Sequence, residues 1–253
     1  MTSATATVMI VAGEASGDQH GAKLVRAMRQ LRPDLKILGI GGEQMRTAGV
    51  DVRIPAHTLS VVGITEAVAK LPQLLRAARE AKGILKRHHP GLLILIDFPD
   101  FNLHLAAHAK KLGIRVLYFI SPQIWAWRPG RVRNIKRLVD HMAVILPFEE
   151  RFYHEHGVPV TYVGHPLLDG EMVFPDAAAH KSAPDGPAVV SLLPGSRHRE
   201  VEKHLPLLLG AAERLHQRHG QVAFLVSCAE NIDRAGEGLA RYMADAIEAA
   251  YSE

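Results

Sequence analysis

Five times in its first 146 residues the chain runs through four or five mostly apolar residues, halts at a glycine, acid, serine or proline, and goes on with helical spacing. Val8 to Ala12 leads into Gly13-Glu14-Ala15-Ser16-Gly17-Asp18, after which Ala22, Leu24, Val25, Met28 and Leu31 keep a helical period up to Pro33. Ile37 to Ile40 before Gly41-Gly42, Leu92 to Ile96 before Asp97, Val116 to Ile120 before Ser121-Pro122, and Ala143 to Leu146 before Pro147 repeat the unit. This alternation reads as an α/β fold with a parallel sheet. The residues that end each apolar run lie where open α/β sheets place their ligands.

From Leu168 to Pro187 the rhythm lapses into Asp, Ala, Pro and Gly, as a linker does. It restarts with Val189 to Leu193, the loop Pro194-Gly195-Ser196-Arg197, a helix to about His219, the strand Val222 to Val226 and a last helical stretch ending near Ala250. The expected organisation is an N-terminal domain over 1–168, a linker over 169–187 and a partial second domain over 188–253. An open sheet of two strands has long unpaired edges and little apolar cover, so it is not expected to stand alone.

Charge is divided along the chain. Residues 1–170 carry 22 Lys and Arg against 14 Asp and Glu, whereas 171–253 carry 8 against 12. The basic N-terminal part favours an anionic partner: a phosphorylated substrate or a membrane surface. Nucleic acid fits least, because aromatics are only 6% of residues and no helix-turn-helix, zinc-finger or RNP pattern is present. The longest aliphatic run, Leu92 to Ile96, is far below the roughly 20 residues of a membrane span, and Met1 to Thr7 lacks the basic start of a secretory signal. A cytoplasmic location is expected. One cysteine, Cys228, excludes an internal disulfide and a thiolate metal cluster. His104 and His108 are spaced i, i+4 but lack the glutamate of a zincin, and no metal is expected.

Four loops could carry chemistry. Gly13 to Asp18 can present backbone N–H groups to an anion or to sugar hydroxyls, yet Glu14 and Asp18 would repel a pyrophosphate and the GxGxxG spacing is absent; the alternative is an ordinary tight turn with Asp18 as N-cap. Asp97-Phe98-Pro99-Asp100-Phe101-Asn102 holds two carboxylates on a turn stiffened by Pro99, where a transfer to a hydroxyl needs a base. Asp97 is assigned to chemistry, and Asp100 or Asn102 to capping the helix that runs to Leu112. Ser121-Pro122-Gln123-Ile124-Trp125-Ala126-Trp127-Arg128 gathers both tryptophans beside Arg128, Arg131 and Arg133, which suits stacking on a sugar or base and neutralising phosphate, or equally core aromatics under a solvated basic helix. Gly195-Ser196-Arg197 is either a diphosphate cradle at a helix start or a capped helix whose arginine pairs with Glu200 or Glu202.

Between Leu59 and Leu85, Val61, Val62, Val68, Leu71, Leu74 and Leu75 recur with near-helical spacing among Lys70, Arg76, Arg79 and Lys82. Such a stretch can lie on an anionic bilayer, or it can be helix packed on the sheet with a basic outer face. Pro72 is expected to split it into two helices.

Taken in order, Gly13-Glu14-Ala15-Ser16-Gly17-Asp18, Val62-Gly63-Ile64-Thr65-Glu66, Asp97-Phe98-Pro99-Asp100-Phe101-Asn102, Ser121-Pro122-Gln123-Ile124-Trp125-Ala126-Trp127-Arg128, Leu146-Pro147-Phe148-Glu149, Gly164-His165-Pro166 and Leu193-Pro194-Gly195-Ser196-Arg197 closely resemble the lipid-A-disaccharide synthase family, glycosyltransferase family 19. The resemblance implies a GT-B-like pair of Rossmann-type parallel sheets, the second incomplete in this chain. It further implies an inverting transfer, without metal or other cofactor, from UDP-2,3-diacylglucosamine to 2,3-diacylglucosamine 1-phosphate, giving a β-1,6-linked disaccharide and UDP at the inner membrane of Gram-negative bacteria. By the same resemblance Asp97 is the general base on the acceptor 6′-hydroxyl and Arg197, with Gly195 and Ser196, binds the donor diphosphate. Glu14, Ser16, Asp18, Asp100, Asn102, Trp125 and Arg128 are expected to face the acceptor, and Val61, Val62, Val68, Leu71, Leu74 and Leu75 the membrane. Family members run on past Glu253, through a segment that holds the uridine and ribose, and form a homodimer. The alternatives are a truncated chain that binds acceptor or membrane without turnover, and a UDP-sugar 2-epimerase.

Overall fold

A computed structural model describes residues 6–59, 64–127, 129–169, 188–196 and 198–227. The chain divides into two compact units, Met1–Met172 and Val173–Glu253. The expected linker lies almost wholly in 170–187, outside the described residues.

The first unit is a seven-stranded sheet, parallel throughout, built from β1 (Thr7–Ala12), β2 (Lys36–Gly41), β3 (Asp51–Pro55), β4 (Leu92–Ile96), β5 (Arg115–Phe119), β6 (His141–Val144) and β7 (Val160–Tyr162). Their order in space is β3-β2-β1-β4-β5-β6-β7. The five internal strands are the five apolar runs, because a parallel strand buried on both faces must be apolar at nearly every position. The two edges were not legible in the sequence. β3 carries Asp51, Arg53 and Pro55, and β7 is three residues long, so neither edge shows the pattern of an internal strand.

Helices cover both faces. One face of the sheet (Val8, Ile10, Ala12, Ile37, Ile94, Ile96) packs against Ala22 and Val25 of α1 (Ala15–Leu31) and Met45 of α2 (Glu43–Thr47). The other (Met9, Val11, Leu93, Leu95, Val116, Tyr118, Met142) meets α3 (Ile64–His88), α4 (Pro99–Lys111), then, beyond the short α5 (Ile124–Trp127), α6 (Val132–Leu138) and α7 (Pro147–Glu155).

Pro72 does not split α3, contrary to expectation: the helix is continuous over 25 residues with the proline inside it. A proline costs an interior turn about 3 kcal/mol. Ala77, Ala81, Ile84 and Leu85 of the same helix are buried on the sheet with Leu74 packed beside them, and each fully buried Ile or Leu contributes about 1.5–3 kcal/mol. That face offsets the proline, and it assigns the C-terminal half of the stretch to core. Leu71 and Leu75 remain 51% and 48% exposed. Val61 and Val62 lie outside the described residues, as does the side chain of Val68.

In the second unit β8 (Ala188–Leu192) and β9 (Val222–Val226) pair in parallel, joined by α8 (His198–His219). Val201 and Leu205 of α8 form a small core with Leu209 and Val226 packed against it. Val189 and Leu225 are each about 60% exposed, as expected of a pair of strands without cover on its other face among the described residues.

Candidate active site

The strand order reverses between β1 and β4, and a doubly wound sheet opens its ligand crevice at such a reversal. The pairing register sets Ala12 opposite Ile96, so the two loops that follow, Gly13 to Asp18 and Asp97 to Asn102, emerge side by side. They are in contact: a Cβ added to Gly13 would stand 2.6 Å from the ring of Phe98, which only glycine avoids.

Asp97 and Phe98 both adopt left-handed backbone, φ 44° and 47°. Such conformations cost non-glycine residues about 1–3 kcal/mol each and persist only where the surroundings over-determine them. Here the Asp97 carbonyl accepts the Tyr118 hydroxyl at 2.5 Å and Asn102 Nδ2 at 2.7 Å, while Asn102 Nδ2 also donates to the Ile96 carbonyl at 3.1 Å. The clamp is buried, since Asn102 and Tyr118 are both fully enclosed. Asp97 lines a cavity of about 310 Å³ together with Pro99, Ile120, Ser121, Pro122, Gln123, Ile145, Leu146 and Glu149. Burial raises the Asp97 carboxyl above the usual aspartate value and the nearby Glu14 raises it further, against a smaller lowering by the Phe98 N–H. A carboxylate so placed is a stronger base than a solvated one.

Neither Asp100 nor Asn102 caps α4. The N-cap is Phe98 without a side-chain cap, Pro99 follows, and the left-handed pair carries the chain into the helix. Asn102 instead clamps the turn, and Asp100, 83% exposed, pairs with Arg131 at 2.7 Å. Asp18, expected to face an acceptor or to cap its own helix, is buried and bonded to backbone instead: its carboxylate accepts the N–H groups of Gly42, Gln44 and Met45 at 2.6, 3.0 and 3.1 Å, and so closes the turn that starts α2. Three charge-assisted bonds at a buried position hold this carboxylate in a structural role. Glu14 is half-buried and Ser16 exposed at the start of α1.

Just past the cavity-lining Ser121 to Gln123, Trp125 is half-buried, its ring edge-on to Phe148 at 4.8 Å and its Nε1 donating to Glu149 Oε1 at 3.2 Å. Arg128 lies outside the described residues. Ser121 and Glu149 stand in quoted motifs without a role of their own, and nothing in the sequence marks Tyr153, although Glu149 two residues after Pro147 has the signal of an acid in a helix's first turn.

In the second unit Gly195 has φ 118°, and Ser196 N–H donates to Glu200 Oε2 at 3.2 Å. His204 Nδ1 stands 3.0 Å from the Pro194 carbonyl, so α8 holds the loop from two of its turns. Arg197 lies outside the described residues. Among the described residues no three His, Cys, Asp or Glu converge on a metal position, and no helix is long and apolar enough to cross a membrane.

A family model described as lipid-A-disaccharide synthetase matches residues 8–242. The lipid-A-disaccharide synthase of Geobacter sulfurreducens is 47% identical over 228 residues, which are 89% of this chain and 59% of that protein. That of Nitrosococcus oceani is 45% identical over 235 residues, 92% and 61% of the two chains. The chain thus spans about 60% of the length of these relatives. Among solved structures, Staphylococcus aureus MnaA with UDP superposes with a TM-score of 0.61 at 12% identity, covering 97% of this chain and 66% of that one. UGT73P12 of Glycyrrhiza uralensis, complexed with glycyrrhetinic acid 3-O-monoglucuronide, gives 0.53 at 11% identity, covering 97% and 67%. At such identities the likeness concerns the fold, which is the GT-B type of glycosyltransferases and nucleotide-sugar epimerases.

Proposed function

The chain belongs to the lipid-A-disaccharide synthase family, and we propose that it forms the acceptor-binding and base-bearing part of a glycosyltransferase that joins two acylated glucosamines. The observation that carries this reading is the half-buried Asp97 at the strand-order reversal, its carboxyl raised, lining a cavity and following the strand next to the one that leads into the Gly13 to Asp18 loop.

In the reaction, the 6′-hydroxyl of 2,3-diacylglucosamine 1-phosphate meets the Asp97 carboxylate. As its oxygen bonds to the anomeric carbon of UDP-2,3-diacylglucosamine from the face opposite UDP, the proton passes to Asp97 and the bond to the diphosphate breaks, its electron pair leaving with UDP. The anomeric centre inverts. Raising the Asp97 carboxyl strengthens it as a base toward the acceptor hydroxyl. Glu14, Ser16 and Trp125 are the acceptor-facing groups, with Arg128 joining them. Gly195 and Ser196 with Arg197 would meet the donor diphosphate, whose negative charge must displace the Glu200 carboxylate from the Ser196 amide. Leu71 and Leu75, exposed among Arg76 and Arg79, suit a peripheral contact with the anionic inner membrane, from which an acyl-chain acceptor must come. The homodimer of the family is part of the same reading.

Incubating the protein with both lipid substrates and following the disaccharide and UDP tests it. Asp97→Asn is expected to lower kcat by about 10²–10⁴ with acceptor affinity kept; near-parental turnover in Asp97→Asn refutes the base. Acceptor binding without any turnover by the parent favours the second reading, an acceptor-binding portion, which the coverage of only about 60% of the relatives' length supports.

A further inference from the structure

Two loops from different strands form the cavity wall beside Asp97: Ser121 to Gln123 after β5, and Ile145 to Leu146 after β6. The first has little backbone bonding of its own, Ile124 N–H to the Pro122 carbonyl and Ala126 N–H to the Gln123 carbonyl, and ends in a single helical turn. Helix α7 reaches both loops. Glu149, 1% exposed, accepts the Leu146 N–H through Oε2 at 3.1 Å and the Trp125 indole N–H through Oε1 at 3.2 Å. Tyr153 follows at i+4, hence on the same helix face, and its buried hydroxyl lies 2.7 Å from Ser121 Oγ. Because Ser121 Oγ donates to the Pro122 carbonyl at 3.0 Å, the Tyr153 hydroxyl is the donor to Ser121. Burial pushes the Tyr153 phenol up to about 12, against a lowering by its hydrogen bond with Ser121 and with a smaller rise from Glu149, so the hydroxyl keeps its proton across the working range.

A buried carboxylate is costly unless its bonds require it, and these bonds hold a loop rather than the core. We propose that Glu149 and Tyr153 are positioning residues: acting through Trp125 and Ser121, they fix the wall that orients the acceptor sugar toward Asp97. This rests on the acceptor reading above. Both Glu149 oxygens are taken by N–H groups, and Tyr153 is not among the residues that line the cavity. Loss of either contact lets the 121–125 loop drift, and acceptor affinity falls while the fold stays.

The test uses a Trp127→Phe background, which leaves Trp125 the one indole in the chain. Binding of a short-acyl 2,3-diacylglucosamine 1-phosphate is measured by calorimetry, loop order by acrylamide quenching of Trp125, and the fold by thermal denaturation. Glu149→Ala and Tyr153→Phe are each expected to weaken acceptor binding about tenfold, the scale of one buried hydrogen bond. Quenching should rise in Glu149→Ala and return toward the parent in Glu149→Gln, which keeps one acceptor for the indole. Glu149→Ala combined with Trp125→Phe should lose less than the product of the two single losses, since the two share the indole–carboxylate bond. Multiplying losses in the double variant overturn the proposal, as does a lowered melting point with unchanged acceptor affinity. Tyr153→Phe, which deletes one hydroxyl, keeps the test open if Glu149→Ala does not fold. A parent that binds no acceptor overturns the acceptor reading instead; unchanged Trp125 quenching in Glu149→Ala and Tyr153→Phe then overturns the positioning as well, and raised quenching upholds it.

Discussion

Asp97 shows function set against stability in one side chain. Its carboxyl holds a proton in the folded chain at pH values where an unfolded aspartate has already lost it. Between the ordinary aspartate value, about 3.9, and the raised native one, stability therefore falls as pH rises, and the full penalty stands above the native value. Asp97→Asn is accordingly expected to melt higher than the parent at pH 7.5, with the gap closing as pH drops toward 4. Melting curves of the two proteins across that range check it, and a variant less stable at pH 7.5 refutes the burial account. Asp18 is the opposite case. Its three backbone partners make it a structural acid, so Asp18→Ala should cost roughly 2–4 kcal/mol, read as a lower denaturant midpoint.

At the scale of an element, α3 separates two roles that its sequence runs together. Leu74, Ala77, Ala81, Ile84 and Leu85 face the sheet, whereas Leu71 and Leu75 point away from it. A membrane contact is therefore tested by Leu71→Ser with Leu75→Ser and not through Leu74, whose loss would open the core. The double variant should keep its melting point within about 2 °C and yet sediment less with phosphatidylglycerol vesicles, while parental binding weakens at high salt. Equal sedimentation of parent and variant at low salt refutes a role for these leucines. Helix α7 likewise has two faces in use. Its first turn ties off β6 through Glu149, and its next braces the loop after β5 through Tyr153, so one nine-residue helix serves two strand ends.

On the scale of the whole molecule, the two units carry different charge and different shares of the proposed chemistry. The basic first unit holds the candidate base and acceptor cavity. The second offers Gly195 and Ser196 with Arg197 beside them in sequence. A charge-assisted bond to a diphosphate is worth about 1.5–3 kcal/mol, so Arg197→Ala should weaken UDP binding roughly 10- to 100-fold and leave acceptor binding alone. Calorimetry with UDP and with the acceptor measures both, and an unchanged UDP affinity refutes the assignment.

The amino-acid order alone determined the α/β class and the five internal strands, because a doubly buried strand needs an unbroken apolar run. It did not reveal the edge strands β3 and β7, whose half-solvated residues lack that run, nor the continuity of α3 through Pro72, which packing against the sheet decided. Nor could it separate Asp18 from Glu14, give Glu149 and Ser121 their roles, or point to Tyr153. Those roles depend on which backbone amides, indole or hydroxyl stand opposite across 24 to 32 residues of chain. Local pattern records how often a residue must be buried; only the folded sheet, by its strand order and register, decides what each buried polar group meets.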